Sequence, residues 1–313
     1  MITGKQLPKG KTGGYLALCI TSVVWGTTWV ASKIGISGVP ALQMAFIRQL
    51  AGGACFVLFF MLYKKLPFPN LKQFGWLVIL GLLMFVFANG LSTWSLAYIP
   101  TGLSALIGAL YPLCVVIIEM VVFKNRKQTP LTFTGLLLGL TGIGIVFYES
   151  AFNHQPNGYL FGIVLSIIAM LSWSVGTLVL TRYSIKMNPY YAMGWQMLIS
   201  AVILYFFANI TGQTIPLQAI TGKSWLAIVY LVIMGSILSF VAFIYSMKKL
   251  PVAIASLYAY INPLVAMIIA ALLLNEKLTV YIMWGSVVTL LGVFLVNYSI
   301  RKQQKKIIAE PEQ

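Results

Sequence analysis

A run of 26 residues without a charged side chain, from Leu250 to Asn275, most constrains how this chain can fold. At 1.5 Å rise per residue, a helix of this length covers about 39 Å, more than the ~30 Å hydrocarbon core of a bilayer. Pro263 lies in the middle of the run, where it removes a backbone N–H and disturbs the carbonyl one turn earlier. The run therefore predicts a membrane-spanning helix that is interrupted near its centre.

Nine further apolar segments accompany this one, and together they predict an all-α integral membrane protein with ten transmembrane helices. Only 8% of the 313 residues are charged, whereas a soluble domain carries about 25%. The predicted spans are 14–36, 40–63, 73–98, 101–123, 130–149, 158–181, 189–210, 224–247, 251–275 and 279–300.

The basic residues predict the orientation of these helices. An even number of spans places both termini on one side, and 17 of the 21 lysine and arginine residues then fall on that side. Lys33, Lys223 and Lys277 lie at the opposite side, and Arg48 lies within a span. The positive-inside rule makes the segments 1–13 and 301–313 cytoplasmic. The net charge of +16 is therefore explained by basic residues that orient the helices and lie beside anionic lipid headgroups. It does not indicate nucleic-acid binding.

The two halves of the chain repeat one another. The stretch Pro100–Lys127 resembles Pro251–Leu278, with Pro112 falling on Pro263 at a shift of 151. Five helices form each half, 14–149 and 158–300, so the second half enters the membrane the other way up. Inverted repeats with interrupted helices are typical of secondary transporters, which bind substrate near the midplane between the repeats.

Several local patterns match a known family. They are Trp25-Gly26-Thr27-Thr28, Lys33, Arg48, Ala97-Tyr98, Ser256-Leu257-Tyr258, Asn262-Pro263-Leu264 and Leu274-Asn275-Glu276. The chain resembles ten-helix members of the drug/metabolite transporter superfamily, EamA type. That resemblance implies an inner-membrane carrier of small metabolites, often an exporter of amino acids or related compounds, whose cavity is lined by helices 1, 3, 4, 6, 8 and 9. One departure is Lys124-Asn125, where the family usually has Gly-Glu.

Polar and aromatic residues near the middle of the spans are the candidate cavity wall. They are Trp25, Thr28, Arg48, Asn89, Tyr111, Pro112, Trp173, Ser239, Tyr258, Tyr260, Asn262 and Pro263. Arg48 lies about 12 Å inside its helix, where an arginine must face protein or water. Two interpretations are open for it: a clamp for an anionic group such as a carboxylate, or an anchor to backbone carbonyls and hydroxyls.

Two more charged residues lie near span ends. Lys33 either snorkels to the headgroups or contacts an anion in the cavity. Glu119, an acid within the fourth span, either carries a coupled proton, since burial would raise its pKa, or pairs with a nearby basic residue. If Glu119 carries no proton, uniport or substrate exchange is the expected mode.

The sequence thus predicts a secondary transporter for a small metabolite, an exporter or exchanger that works by alternating access. Two other classes are less compatible with it. An intramembrane enzyme needs a nucleophile–base pair or metal ligands, but the single histidine, His154, falls in a loop. A scaffold or receptor leaves the inverted repeat unexplained. No cofactor or metal is expected. The ridge Gly135–Gly139 predicts close helix packing, within a monomer or across a homodimer.

Overall fold

Ten long helices form the described part of the chain, as the ten apolar segments predict. The computed structural model describes residues 11–123, 129–152, 156–183, 186–250, 254 and 257–309. Within these ranges there is no strand, because a backbone in lipid must satisfy its polar groups within each segment. The helices are α1 Lys11–Gly35, α2 Ala41–Tyr63, α3 Leu71–Ser95, α4 Thr101–Val121, α5 Pro130–Phe152, α6 Tyr159–Arg182, α7 Pro189–Ile210, α8 Gly222–Lys249, α9 Tyr258–Leu274 and α10 Val280–Ala309.

Length and composition let nine of the described helices cross a membrane, and α9, with 17 residues, is the shorter tenth. The prediction of a ten-helix, all-α membrane protein is confirmed. Some predicted features lie outside the described residues: the first ten residues, Lys124–Lys127, His154, positions 251–253 and 255–256, and the last four residues.

The helix pairs reveal the inverted repeat. Helix α2 packs against α7, and α5 packs against α10. Helix α1 contacts α8 and α9, while α6 makes the equivalent contacts with α3 and α4. Each of the first five helices therefore has a counterpart with matching neighbours in the second half. The pair α5–α10 joins the other helices through contacts that include those of α10 with α4 and α9.

The two prolines do not act alike. In α4 the helix stops at Gly108 and resumes at Tyr111, with Pro112 in the first turn of the second segment. Pro112 cannot donate to the Gly108 carbonyl, and its ring disfavours a helical residue before it. In α9, Pro263 lies inside a continuous helix. The predicted interruption is therefore wrong for α9, where the ring removes only the hydrogen bond to the Ala259 carbonyl.

Wider π-helical turns occur at matching places in the two halves. They span Gly81–Gly90 in α3 and Leu231–Leu238 in α8, and they carry Asn89, Gly235 and Ser236. Such bulges rotate the residues that follow them and are frequent at functional sites. Both segments approach the centre of the molecule, where the candidate site lies.

Glycines bring α5 and α10 into close contact. A Cβ atom at Gly142 would lie 2.3 Å from the Thr289 backbone nitrogen, and one at Gly292 would lie 2.3 Å from the Gly139 nitrogen. The ridge that the sequence predicts for close packing is thus used within one chain. The interface between α5 and α10 occupies it, so these glycines are not an open face of the described structure.

Candidate functional site

A cavity of about 180 Å³ lies between the two halves of the protein. Helices α1 to α4 of the first half and helices α6 and α9 of the second half supply its wall. Nine of the predicted site residues line it: Trp25, Thr28, Arg48, Asn89, Tyr111, Trp173, Tyr258, Asn262 and Pro263. The volume is below the 300–1,000 Å³ that is usual for drug-sized ligands, so this cavity suits a small molecule.

Three predicted residues lie outside the cavity lining. Ser239 is buried and donates its hydroxyl to the Met234 carbonyl, 2.7 Å away, across the π-helical turn of α8. Tyr260 points towards α10 and donates to the Val293 carbonyl at 3.3 Å. Pro112 is buried in the first turn after the break in α4. Pro112 and Tyr260 were predicted from the proline positions, and Ser239 was predicted from the helix that carries it. Neither kind of argument specifies the face of the helix.

Aromatic side chains join the halves across the cavity. The Tyr111 and Tyr258 hydroxyls are 3.2 Å apart, and the rings of Tyr258 and Trp25 meet edge to face at 5.3 Å between centroids. The Trp25 indole N–H donates to the Gly235 carbonyl at 3.1 Å. These contacts link α1 and α4 of the first half to α8 and α9 of the second half.

Two asparagines on opposite walls each have their carbonyl oxygen engaged. Trp29 Nε1 donates to Asn262 Oδ1 at 3.0 Å, and Gln49 Nε2 donates to Asn89 Oδ1 at 3.0 Å. An indole N–H can only donate, so the tryptophan fixes the orientation of the Asn262 amide. The amino group of Asn262 is therefore left as a hydrogen-bond donor towards the cavity that this residue lines.

A chain of hydroxyls forms another part of the wall. Ser104 Oγ lies 2.9 Å from Ser95 Oγ and 3.1 Å from Ser166 Oγ. The three serines belong to α4, α3 and α6, and Ser104 and Ser166 line the cavity. This chain ties the interrupted helix to its neighbours and leaves hydroxyls that can donate or accept.

Arg48 is the charged residue among the described residues of the cavity wall. Its side chain is buried, and its Nε donates to Ser236 Oγ at 3.2 Å. Glycine at position 235 leaves room for it, since a Cβ there would lie 3.4 Å from Arg48 Nη2. Within the described ranges the one ion pair joins Arg182 to Glu119, so no described carboxylate neutralises Arg48.

Lys33 lies close to the cavity but does not line it. Its ammonium group donates to the Leu96 carbonyl and, at 3.2 Å, to the Ile99 carbonyl. These carbonyls belong to the turn that follows α3. Two of the three ammonium N–H groups are thus bound to the backbone, and the anion contact of Lys33 stays a prediction.

Glu119 lies near the end of α4 and outside the cavity lining. Its carboxylate is 3.5 Å from Arg182 of α6, whose guanidinium carbon lies 3.5 Å from the centre of the Phe123 ring. Both partners are partly exposed, at 39% for Arg182 and 30% for Glu119. The carboxylate thus has the basic neighbour that one of the two interpretations required, and its role in proton coupling stays a prediction.

The model of the EamA-like transporter family matches residues 12–148 and 160–298, one match in each half. The chain belongs to this family. It is a multi-pass membrane protein, and its EamA repeats correspond to the two inverted sets of helices.

Similar proteins agree with the family assignment. The chain is 30% identical over 266 residues to the inner membrane transporter YedA of Escherichia coli, covering 84% of this chain and 83% of YedA. It is 24% identical over 293 residues to the transporter YoaV of Bacillus subtilis, covering 92% of this chain and 98% of YoaV. A crystal structure shares the fold with a TM-score of 0.63 at 17% identity, covering 94% of this chain and 99% of that one. None of these names specifies a substrate.

Sequence reasoning missed several residues of this EamA cavity. They are Trp29, Ser32, Ser92, Thr93, Ser104 and Ser166. A helical-face argument reaches some of them, because Trp29 follows Trp25 by four residues and Ser92 follows Asn89 by three. Ser104 and Ser166 carried no such signal, since serine also occurs at tight helix contacts far from any ligand.

Proposed function

We propose that this protein is a secondary transporter that carries a small metabolite, such as an amino acid or a related compound, across the inner (plasma) membrane. The cavity between the two inverted halves supports this proposal, because substrates of inverted-repeat carriers bind at that interface. The name of the relative YedA, an inner membrane transporter, supports the membrane assignment. Seventeen of the 21 basic residues support cytoplasmic termini.

Alternating access is the proposed mechanism, and contacts between the halves at both ends of the cavity support it. Towards the start of α1, Leu18 packs in one cluster with Leu250 and Tyr258. Towards the end of α1, the Glu276 carboxylate accepts hydrogen bonds from the first residues of α4. Breaking one set while keeping the other would open the cavity to one side at a time.

Export or exchange is the proposed mode of transport. The titratable side chains that line the cavity are Arg48, Tyr111 and Tyr258. A proton-coupled carrier usually uses an intramembrane carboxylate or histidine, and the described residues of the cavity lining include neither. The substrate gradient itself, or a second molecule of substrate, then drives the cycle.

The proposal is tested by metabolite profiling of cells with and without the protein, followed by counterflow of the changed metabolites in proteoliposomes. We expect at least one small metabolite to exchange across vesicles that contain the protein and not across empty vesicles. A correctly folded protein that moves none of the metabolites changed in the cells contradicts the proposal. Reporter fusions at both termini test the orientation, and an external reporter at either end contradicts it.

A further inference from the structure

The wall of the cavity carries one charged side chain, Arg48, among its described lining residues. The other nearby charges are already bound. The ammonium of Lys33 donates to two backbone carbonyls and interacts electrostatically with Glu276. Glu119 lies beside Arg182. An empty cavity therefore has a local charge of about one positive unit, contributed by a guanidinium that is removed from water.

The neutral polar groups of the wall also favour a negatively charged substrate. The oxygen of Asn262 accepts a hydrogen bond from the Trp29 indole. Its amino group remains as a donor, as do the Nη atoms of Arg48, which form no hydrogen bond to the described residues. Donors from α2 and α9 thus converge on one space. Such a set fits a carboxylate, whose two oxygens accept several hydrogen bonds.

The remaining wall is aromatic. Trp25, Trp29 and Trp173 line it together with Tyr111 and Tyr258. Rings of this kind give a substrate's apolar body a large contact area. They could also attract an ammonium group, but the Arg48 charge in the same small cavity opposes a second cation.

We propose that the cavity binds its substrate as a monoanion, a small monocarboxylate with an apolar body, in preference to a zwitterion, and that it rejects amines. This inference rests on the proposed transport function and narrows it: among amino acids and related compounds, it favours the compounds that carry a carboxylate and no ammonium group. The carboxylate contacts Arg48 and the Asn262 amino group, and the apolar body contacts the tryptophans. A zwitterion has no net charge, so its binding does not neutralise the positive charge of the cavity. Its ammonium group also finds no carboxylate partner among the described residues of the wall.

The test uses three probes with a shared branched skeleton and different charge: 4-methyl-2-oxopentanoate, leucine and 3-methylbutylamine. Each is titrated against the purified full-length protein, with calorimetry and thermal shift as readouts. We expect the oxo acid to bind about tenfold more tightly than leucine, and the amine to give no measurable binding. Equal or tighter binding of leucine, binding of the amine, or no binding of the oxo acid overturns the proposal.

Variants of Arg48, with a variant of Lys223 as control, test whether the cavity wall causes the preference for the oxo acid over leucine. Arg48→Gln should bring the affinities for oxo acid and leucine to within about threefold of each other, while Arg48→Lys keeps their order. Lys223→Gln removes an exposed cation at the start of α8 and should change neither affinity. A preference that survives in Arg48→Gln contradicts the assignment.

Asn262→Asp keeps the inference testable if Arg48 variants do not fold. It retains the acceptor for Trp29 and adds a negative charge to the cavity, so the oxo acid should lose about tenfold in affinity relative to leucine. An unchanged ratio overturns the inference. A purified protein that transports a zwitterion or a cation would overturn the charge preference and leave the transporter function intact, whereas the absence of any flux would count against both.

Discussion

Lys33 and Glu276 bind the same turn between α3 and α4, one from each half of the protein. Lys33 donates to the carbonyls of Leu96 and Ile99, and the Glu276 carboxylate accepts from the backbone N–H groups of Thr101 at 2.8 Å and Gly102 at 3.2 Å. A cation thus binds the carbonyl-rich end of one helix, and an anion binds the N–H-rich start of the next. Both arrangements are favoured by the helix dipoles. The turn between α3 and α4 is therefore bound by a cation at its carbonyl groups and by an anion at its N–H groups.

Glu276→Gln is expected to weaken this link between the halves. The amide keeps one acceptor but loses the charge, so stability should fall by about 2 kcal/mol, and the rate of transport should change because the contact lies at one end of the cavity. Thermal unfolding in detergent and counterflow measure the two effects. Lys277→Gln, the exposed neighbour, serves as the control. A Glu276→Gln protein as stable and active as Lys277→Gln contradicts this role.

The hydroxyl contact between Tyr111 and Tyr258 predicts non-additive mutations. Each tyrosine-to-phenylalanine change removes the same 3.2 Å hydrogen bond, so the double variant should lose little more than either single variant. The coupling expected from such a pair is about 0.5–1.5 kcal/mol. A double-mutant cycle on transport rate measures it. Strictly additive effects would show that the two hydroxyls act independently.

Trp29 lines the cavity although it was not predicted to do so, whereas Tyr260 was predicted to line the cavity and does not. Trp29→Phe removes the donor to Asn262 and frees the amide to rotate, so the KM for substrate should rise several-fold at about 1 kcal/mol per lost hydrogen bond. Tyr260→Phe removes a contact with α10 and should leave KM unchanged. Initial rates over a range of substrate concentrations test both. A raised KM in Tyr260→Phe would return that residue to the substrate site.

Glu119→Gln is expected to leave transport intact. Its ion pair with Arg182 is partly exposed and lies outside the cavity lining, and exposed pairs contribute about 0–1 kcal/mol. The measurement is the transport rate as a function of external pH in the native protein and the variant. Loss of transport, or loss of its dependence on pH, would make Glu119 a coupling residue.

Two glycines of α5 form a matched pair. A Cβ at Gly142 would lie 2.3 Å from the Thr289 nitrogen of α10, whereas a Cβ at Gly144 meets nothing within 4 Å. Gly142→Ala should therefore destabilise the protein by about 1–3 kcal/mol by forcing the helices apart. Gly144→Ala should be neutral or stabilising by up to about 1 kcal/mol. Thermal unfolding compares the two. Similar melting temperatures would mean that α5 and α10 are not packed this closely.

The sequence alone determined the features that the membrane imposes: the number of helices, the repeat and the depth of each residue. Ten apolar segments had to become helices because lipid offers no partner for a backbone N–H or carbonyl. The shift of 151 between Pro112 and Pro263 revealed the repeat, and an odd number of helices per half made it inverted. Trp25, Arg48, Asn89 and Asn262 could be placed near the centre from their depth alone.

Tertiary structure alone decided which face each residue presents and what it contacts. Tyr260 and Asn262 are two residues apart, yet one contacts α10 and the other lines the cavity. Lys33 and Glu276 are 243 positions apart in the sequence and meet at one turn. Depth in the membrane follows from counting residues along one helix. The direction of a side chain also depends on local breaks and on how neighbouring helices pack, and a single sequence carries little information about either.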